Sequence, residues 1–94
     1  MTSKQRAYLR SLANRIDSIL QVGKGGINDN LIKQVDDALE ARELIKLHNL
    51  ETSPYTAKEA MNELATATQS EAIASVGNRF VLYRESKNNK KIEL

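Results

Sequence analysis

The stretch Val22-Gly23-Lys24-Gly25-Gly26-Ile27 holds three of the four glycines in the chain, with a lysine among them. A short apolar run precedes it and Asn28 opens an amphipathic segment after it, a pattern that predicts a loop between a strand and a helix. Glycine lacks a Cβ atom and lets a ligand approach main-chain N–H groups, and the first N–H groups of a helix attract anions. The stretch therefore predicts either a phosphate-binding loop, with Lys24 as its mobile charge, or a plain tight turn.

The size and composition of the chain limit what this loop can belong to. The chain has 94 residues, 40% of them apolar and 28% charged, which is typical of one globular domain. No apolar run approaches the roughly 20 residues of a membrane span, and the polar first residues do not resemble a secretory signal, so we expect a cytoplasmic protein. Without cysteine and with His48 as the single histidine, we expect no metal, no cofactor and no small-molecule substrate.

Charge is unevenly distributed along the chain, although the net value is only +2. Residues 1–26 hold five Lys and Arg against one carboxylate, residues 27–71 hold four against nine, and residues 72–94 hold five against two. Both ends are therefore basic and the middle is acidic. If the two ends converge in the fold, they form one positive face that suits a polyanion such as a nucleic acid.

Apolar periodicity predicts an α/β fold with the order α-β-α-β-α-β-β and a mixed four-stranded sheet. The predicted helices cover about residues 3–15, 29–42 and 57–67, and the predicted strands cover 19–22, 44–50, 71–76 and 79–84. Capping boxes at Thr2 and Thr56 and an N-cap at Asn28 mark the helix starts. The predicted domain spans residues 1–85, and the polar, basic residues 86–94 are predicted to be a mobile tail, from which Ile92 and Leu94 could dock on the domain.

The last two strands form a hairpin around the two-residue turn Gly77-Asn78. That turn predicts that Val76 faces Arg79, Ala74 faces Val81 and Ala72 faces Tyr83. Both faces of the hairpin are partly apolar, so the sequence leaves open which of them belongs to the core.

Two predicted helices differ in the charge of their outer surfaces. The first has Arg6 and Arg10 on one flank of its apolar stripe, Lys4 and Arg15 on the other, and no carboxylate. For any one of these cations, simple solvation is the alternative to a track for a polyanion. The second carries acids opposite its apolar stripe, at Asp36, Asp37 and Glu40, which is typical of a solvated surface rather than of a catalytic or metal-binding pair. On the following strand, His48 reads as a surface or half-buried residue.

The loop matches G-x-x-G, the pattern with which KH domains clamp a nucleic-acid backbone. The P-loop spacing is absent, and Asn28 stands where a dinucleotide fingerprint requires its last glycine. Aromatic residues that could stack on bases are few, namely Tyr8, Tyr55, Phe80 and Tyr83. The loop therefore favours backbone clamping over base stacking.

Four stretches together resemble the CRM domain, and in particular the stand-alone bacterial RNA-binding proteins of the YhbY type. They are Leu9-Arg10-Ser11-Leu12-Ala13-Asn14, Val22-Gly23-Lys24-Gly25-Gly26, Glu40-Ala41-Arg42-Glu43-Leu44-Ile45-Lys46 and Val81-Leu82-Tyr83-Arg84. The resemblance covers nearly the whole chain. It implies a fold related to the C-terminal domain of translation initiation factor three, an association with precursors of the large ribosomal subunit, and an RNA-binding role for Gly23 to Gly26.

We therefore expect a non-catalytic RNA-binding protein that takes part in assembly of the large ribosomal subunit and binds ribosomal RNA. The candidate RNA-binding residues are Gly23, Lys24, Gly25, Gly26, Asn28, Lys4, Arg6, Arg10 and Arg15. One alternative is an adaptor that docks on a basic ribosomal protein through the acidic second helix. A third, an enzyme acting on a small anion or nucleotide, is disfavoured because no nucleophile and base flank the loop.

Overall fold

The structure, a computed structural model, describes residues 1–94. The elements follow in the order α1 (Ser3–Ala13), β1 (Ser18–Val22), α2 (Asp29–Arg42), β2 (Leu44–Asn49), α3 (Ala57–Thr68), β3 (Glu71–Val76) and β4 (Arg79–Tyr83). All seven predicted elements are present, and their ends agree with the prediction to within two residues. None of the helices combines the length and the apolar character that a membrane span requires.

The strands form one mixed four-stranded sheet, as predicted, and their order is β1-β2-β4-β3, which the prediction left open. β1 and β2 are parallel, whereas β4 is antiparallel to both of its neighbours, β2 and β3. The C-terminal ends of β1 and β2 therefore lie at the same edge as the β3–β4 turn. We call this edge, with residues 23–28, 50–56 and 77–78, the loop edge.

Helices cover both faces of the sheet, and this gives the molecule two cores. On one face α2 and α3 bury the larger core, which includes Val35, Leu39, Leu64, Phe80 and Leu82. On the other face α1 buries a smaller one, which includes Leu9, Ala13, Ile73, Val81 and Tyr83. The sequence could not assign one face of the hairpin to the core because both faces of β4 are buried.

Side-chain caps fix the start of every helix, as predicted. Thr2 Oγ1 accepts a hydrogen bond from the Gln5 N–H at 3.1 Å, and the Gln5 side chain accepts one from the Thr2 N–H at 2.9 Å. Thr56 and Glu59 form the same reciprocal pair at the start of α3. Such caps satisfy N–H groups that have no partner inside the helix, and so they determine where each helix begins.

The predicted hairpin register is correct near the turn and wrong further from it. Ala74 pairs with Val81 as predicted, but Ala72 pairs with Leu82 rather than with Tyr83. The cause is a β-bulge between Ala72 and Ala74, which places an extra residue on β3. Alternation along a strand does not locate such an insertion.

Two carboxylates, one on α2 and one at its C-cap, accept hydrogen bonds from the segment after β4, which the sequence predicted as a mobile tail. Glu43, the fully buried C-cap of α2, accepts hydrogen bonds from the backbone N–H groups of Ser86, Lys91 and Ile92 at 2.6–2.8 Å. Burial alone would raise the pKa of Glu43, but these bonds outweigh it and hold the pKa below its ordinary value. Ile92 also packs against the smaller core, whereas Leu94 is exposed.

Glu40 holds the first part of the same segment. Its carboxylate accepts hydrogen bonds from the Ser86 hydroxyl at 2.6 Å and from the backbone N–H groups of Lys87 and Asn88, each at 3.1 Å. These bonds, that of Ser86 first, lower the pKa of Glu40 from 4.5 to about 2. Hydrogen bonds to Glu40 and Glu43 therefore join residues 86–92 to α2 and its C-cap.

Candidate nucleic-acid interface

The glycine loop is a tight turn that leaves its two central N–H groups without partners. The Gly26 N–H donates to the Gly23 carbonyl at 2.9 Å, which closes a four-residue turn. Lys24 and Gly25, at its centre, are exposed, and their N–H groups make no hydrogen bond within the chain. The loop therefore presents two backbone donors beside a mobile ammonium group, an arrangement that suits an anion.

Among the loop glycines, Gly26 is required by the fold and Gly25 is not. Gly26 has φ +67°, and a Cβ atom there would lie 3.3 Å from the side chains of Pro54 and Tyr55. A Cβ atom on Gly25 would meet only Asn28 Nδ2, at an ordinary 3.7 Å, and its φ is not left-handed. Packing thus accounts for Gly26, while close approach of a ligand to the backbone would account for Gly25.

The start of α2 continues the line of backbone donors. The N–H groups of Asp29 and Asn30 make no hydrogen bond within the chain, and the helix dipole adds positive potential there. Asn28 acts as the N-cap, because its Oδ1 accepts a hydrogen bond from the Leu31 N–H at 2.9 Å. Asp29 places one carboxylate in the first turn of the helix.

The four candidate cations, three on α1 and Arg15 just after it, do not form one continuous track towards the loop. Arg6 is tied to β3, where its guanidinium donates to the Ala72 carbonyl and lies 3.9 Å from the Glu71 carboxylate. Lys4 borders a hollow beside the C-terminal residue Leu94. Both therefore lie at the end of the sheet opposite the loop edge.

The remaining two candidate cations, Arg10 on α1 and Arg15 after it, also lie in different places. Arg15 lines a hollow with Arg42 and Lys91, near the start of β2. Arg10 alone among the four lines a hollow with Arg79, which begins β4 beside the loop edge. Arg10 is thus the α1 cation whose position fits a ligand that also reaches the loop.

The structure adds three sheet residues that sequence reasoning did not select. Lys46, His48 and Arg79 line one groove, and His48 and Arg79 are direct partners in the β2–β4 register. The alternation of β2 already placed Lys46 and His48 on one face. The missing information was that β4, rather than β3, lies beside β2.

The acidic surface of α2 is largely engaged within the molecule. Asp36 forms an ion pair with Arg84, and Asp37 lies 3.2 Å from the Lys33 ammonium group. Glu40 is occupied by the C-terminal segment. Little unpartnered negative charge therefore remains there for a basic protein partner.

Comparison with known proteins identifies the family. Residues 1–84 match the family model of the CRS1 / YhbY (CRM) domain. The Bacillus subtilis protein named probable RNA-binding protein YqeI is 48% identical over 94 residues, which are 100% of this chain and 98% of that protein. A probable RNA-binding protein of Methanocaldococcus jannaschii is 33% identical over 93 residues, 97% of this chain and 69% of that protein.

A solved structure agrees with these sequence matches. The solution structure of a Staphylococcus aureus protein, described there as a candidate RNA-binding protein, matches with a TM-score of 0.83 and 56% identity. The match covers 100% of this chain and 98% of the other. The chain therefore belongs to the CRS1 / YhbY (CRM) domain family.

Proposed function

We propose that this protein binds RNA in the cytoplasm, that its RNA is ribosomal RNA in precursors of the large subunit, and that the glycine loop grips backbone phosphates. The names of the relatives, which match along the whole chain, support RNA as the partner. The observation that carries the role of the loop is the pair of unbonded N–H groups on Lys24 and Gly25. The link to the large subunit rests on the family resemblance, and the protein performs no catalysis.

In this mechanism the loop and the start of α2 act as one anion site. Phosphate oxygens accept hydrogen bonds from the N–H groups of Lys24 and Gly25, and Lys24 folds its ammonium group over them. The N–H groups of Asp29 and Asn30 favour a second phosphate through the helix dipole. Affinity is mostly electrostatic and falls as salt rises, whereas selectivity comes from the shape of the RNA.

The test replaces Lys24 and Gly25 with aspartate and measures binding to large-subunit ribosomal RNA fragments by fluorescence anisotropy. We expect the affinity to fall by more than about tenfold, since two carboxylates would face the phosphates. The matched control, Lys33→Glu with Gln34→Glu on α2, changes the net charge equally away from the loop. Circular dichroism establishes that both variants are folded. Equal affinities of the two variants would remove the loop from the mechanism.

The identity of the RNA needs a separate experiment. Crosslinking in cells, followed by sequencing of the attached RNA, should return mainly precursors of the large-subunit ribosomal RNA. Reads spread over messenger RNAs would contradict the ribosomal part of the proposal and leave RNA binding intact. Association with ribosomal particles that persists after nuclease treatment would favour the adaptor alternative instead.

A further inference from the structure

Helix α1 covers only part of its face of the sheet. It packs against Val81 and Tyr83 of β4 and Ile73 of β3, but the part nearest the loop edge stays open. The strand registers pair Gln21 with His48 and His48 with Arg79, so all three side chains lie on this face. Lys46, two residues before His48, lies there as well. We call Gln21, Lys46, His48 and Arg79 the open face.

The cations of the open face have no carboxylate partner, unlike four other cations of the chain. Arg6, Lys33, Arg84 and Lys90 each lie within 4.0 Å of a carboxylate. Lys46, Arg79 and the neighbouring Arg10 do not, and the single carboxylate that lines their hollows is Asp17. Because no carboxylate neutralises these cations, their positive potential is available to an external anion.

The open face is concave. A groove of about 750 Å³ runs along β1 and β2 and is lined by Gln21, Lys46, His48 and Arg79. A second hollow of about 210 Å³ lies beside α1, where Arg10 joins the same Lys46 and Arg79. The two hollows share these two cations and so lie next to each other; together we call them the depression.

This depression leads towards the glycine loop. Gln21 lies two positions before Gly23 and pairs with His48. The Asn49 N–H donates to the Asn78 carbonyl at 2.7 Å, which holds the β3–β4 turn, and with it Arg79, at the loop edge. A strand of nucleic acid held by the loop can therefore continue onto the open face.

We propose that single-stranded RNA leaving the glycine loop crosses the open face, with Lys46, Arg79 and Arg10 on successive phosphates. This inference rests on the proposed function and names the form of RNA. Lys46 and Arg79 are diagonal neighbours on adjacent strands, with a separation of about 7–8 Å that is comparable with the spacing of phosphates along a strand. Gln21 and His48 offer hydrogen-bonding groups to the Watson–Crick edges of bases, which only unpaired RNA exposes.

The experiment compares two variants that lose the same charge. Lys46→Gln with Arg79→Gln removes two cations of the open face, whereas Lys33→Gln with Lys87→Gln removes two from the surface of α2 and the C-terminal segment. The probe is a fluorescein-labelled single-stranded RNA of about 16 nucleotides, with a hairpin of the same length as the duplex comparison. Dissociation constants are measured over a range of potassium chloride concentrations.

We expect the open-face variant to bind the single-stranded RNA about tenfold more weakly than the unmodified protein. The slope of log affinity against log salt concentration should become shallower by about 1.4, that is, by about 0.7 for each lost phosphate contact. The control variant should stay within about twofold of the unmodified protein. Urea unfolding compares the stability of both variants. Titration of the unmodified protein with the same RNA should shift the NMR amide signals of Gln21 and His48, a measurement that needs no variant.

The result that overturns this inference is an open-face variant that binds like the control while the aspartate variant of the loop loses binding. In that case the proposed function stands and the RNA does not cross the sheet. Equal affinity and equal salt slope for the hairpin overturn the choice of single-stranded RNA. If the unmodified protein binds neither RNA, both the proposed function and this inference fail.

Discussion

The buried carboxylate of Glu43 accepts a hydrogen bond at 2.8 Å from the backbone N–H of Ile92, 49 positions further along the chain. The same carboxylate accepts bonds from the N–H groups of Ser86 and Lys91. This irregular segment lacks the carbonyl acceptors that a strand or helix would offer to its backbone N–H groups. The carboxylate at the end of α2 accepts three of these hydrogen bonds instead. Its three charge-assisted bonds attach the segment to the end of α2.

Replacing Glu43 with glutamine should lower the free energy of unfolding by about 2 kcal/mol, because the amide loses the charge and turns an NH₂ group towards N–H donors. Urea denaturation measures the change. Amide hydrogen exchange should also accelerate at Ser86, Lys91 and Ile92. The control is Glu63→Gln, an exposed position on α3 that forms no ion pair. Unchanged exchange at these three amides would show that the carboxylate does not hold the segment.

Acid should weaken the attachment of the C-terminal segment. The pKa of Glu40 falls from 4.5 to about 2 in the folded protein, and that of Glu43 is also lowered. A group with a depressed folded pKa contributes stability above its unfolded pKa, and this stability is lost as the pH falls through the folded value. The free energy of unfolding should therefore decline between pH 4.5 and about 2. Glu40→Gln lacks this pH-dependent contribution. The difference in the free energy of unfolding between the variant and the unmodified protein should therefore shrink towards low pH. A difference that stays constant with pH would contradict the role given to Glu40.

Alanine substitutions of the two neighbouring loop glycines, Gly25 and Gly26, should have different effects, one on RNA binding and the other on stability. Gly26→Ala places a Cβ atom 3.3 Å from Pro54 and Tyr55 at φ +67°, and it should cost about 1–3 kcal/mol in urea unfolding. Gly25→Ala meets no such obstacle and should change stability by less than about 1 kcal/mol. It should nevertheless weaken RNA binding measured by anisotropy, since the methyl group keeps phosphate from the backbone. A Gly25→Ala protein with full affinity would mean that the RNA does not approach this backbone closely.

The features that the sequence predicted well are those decided by a few adjacent residues. Thr2 with Gln5 and Thr56 with Glu59 lie three positions apart, and their capping boxes fixed the helix starts. The glycine loop was found in the same way, from composition and from the helix signal at Asn28. Such local interactions do not depend on how the rest of the chain folds.

The features that the sequence missed depend on residues that are far apart along the chain. The resemblance to the family includes both Glu43 and Arg84, but it gave no sign that Glu43 holds the C-terminal segment. Nor did it show that Arg84 donates hydrogen bonds to Asp36 and to the Thr68 carbonyl, linking β4 with α2 and α3. The open face was likewise hidden, because Lys46 and Arg79 become neighbours only when β4 pairs with β2.

Arg6 and Arg10 illustrate this difference within one helix, because they lie one turn apart on α1 and contact different parts of the protein. Arg6 is bound to the Ala72 carbonyl of β3, 66 positions away, whereas Arg10 has no carboxylate partner and lines the hollow beside Arg79. Arg6→Gln should therefore lower the free energy of unfolding by about 1 kcal/mol and leave RNA affinity nearly unchanged.

Arg10→Gln should have the opposite effect. Stability should stay within about 0.5 kcal/mol of the unmodified protein, because the side chain is exposed and unpaired. Affinity for single-stranded RNA should fall, and the salt slope should decrease by about 0.7, the contribution of one phosphate contact. Both variants lose one positive charge, so each serves as the control for the other in anisotropy and urea titrations. Equal losses of affinity would mean that the helix attracts RNA only through its net charge, since the two arginines would then act without regard to their positions.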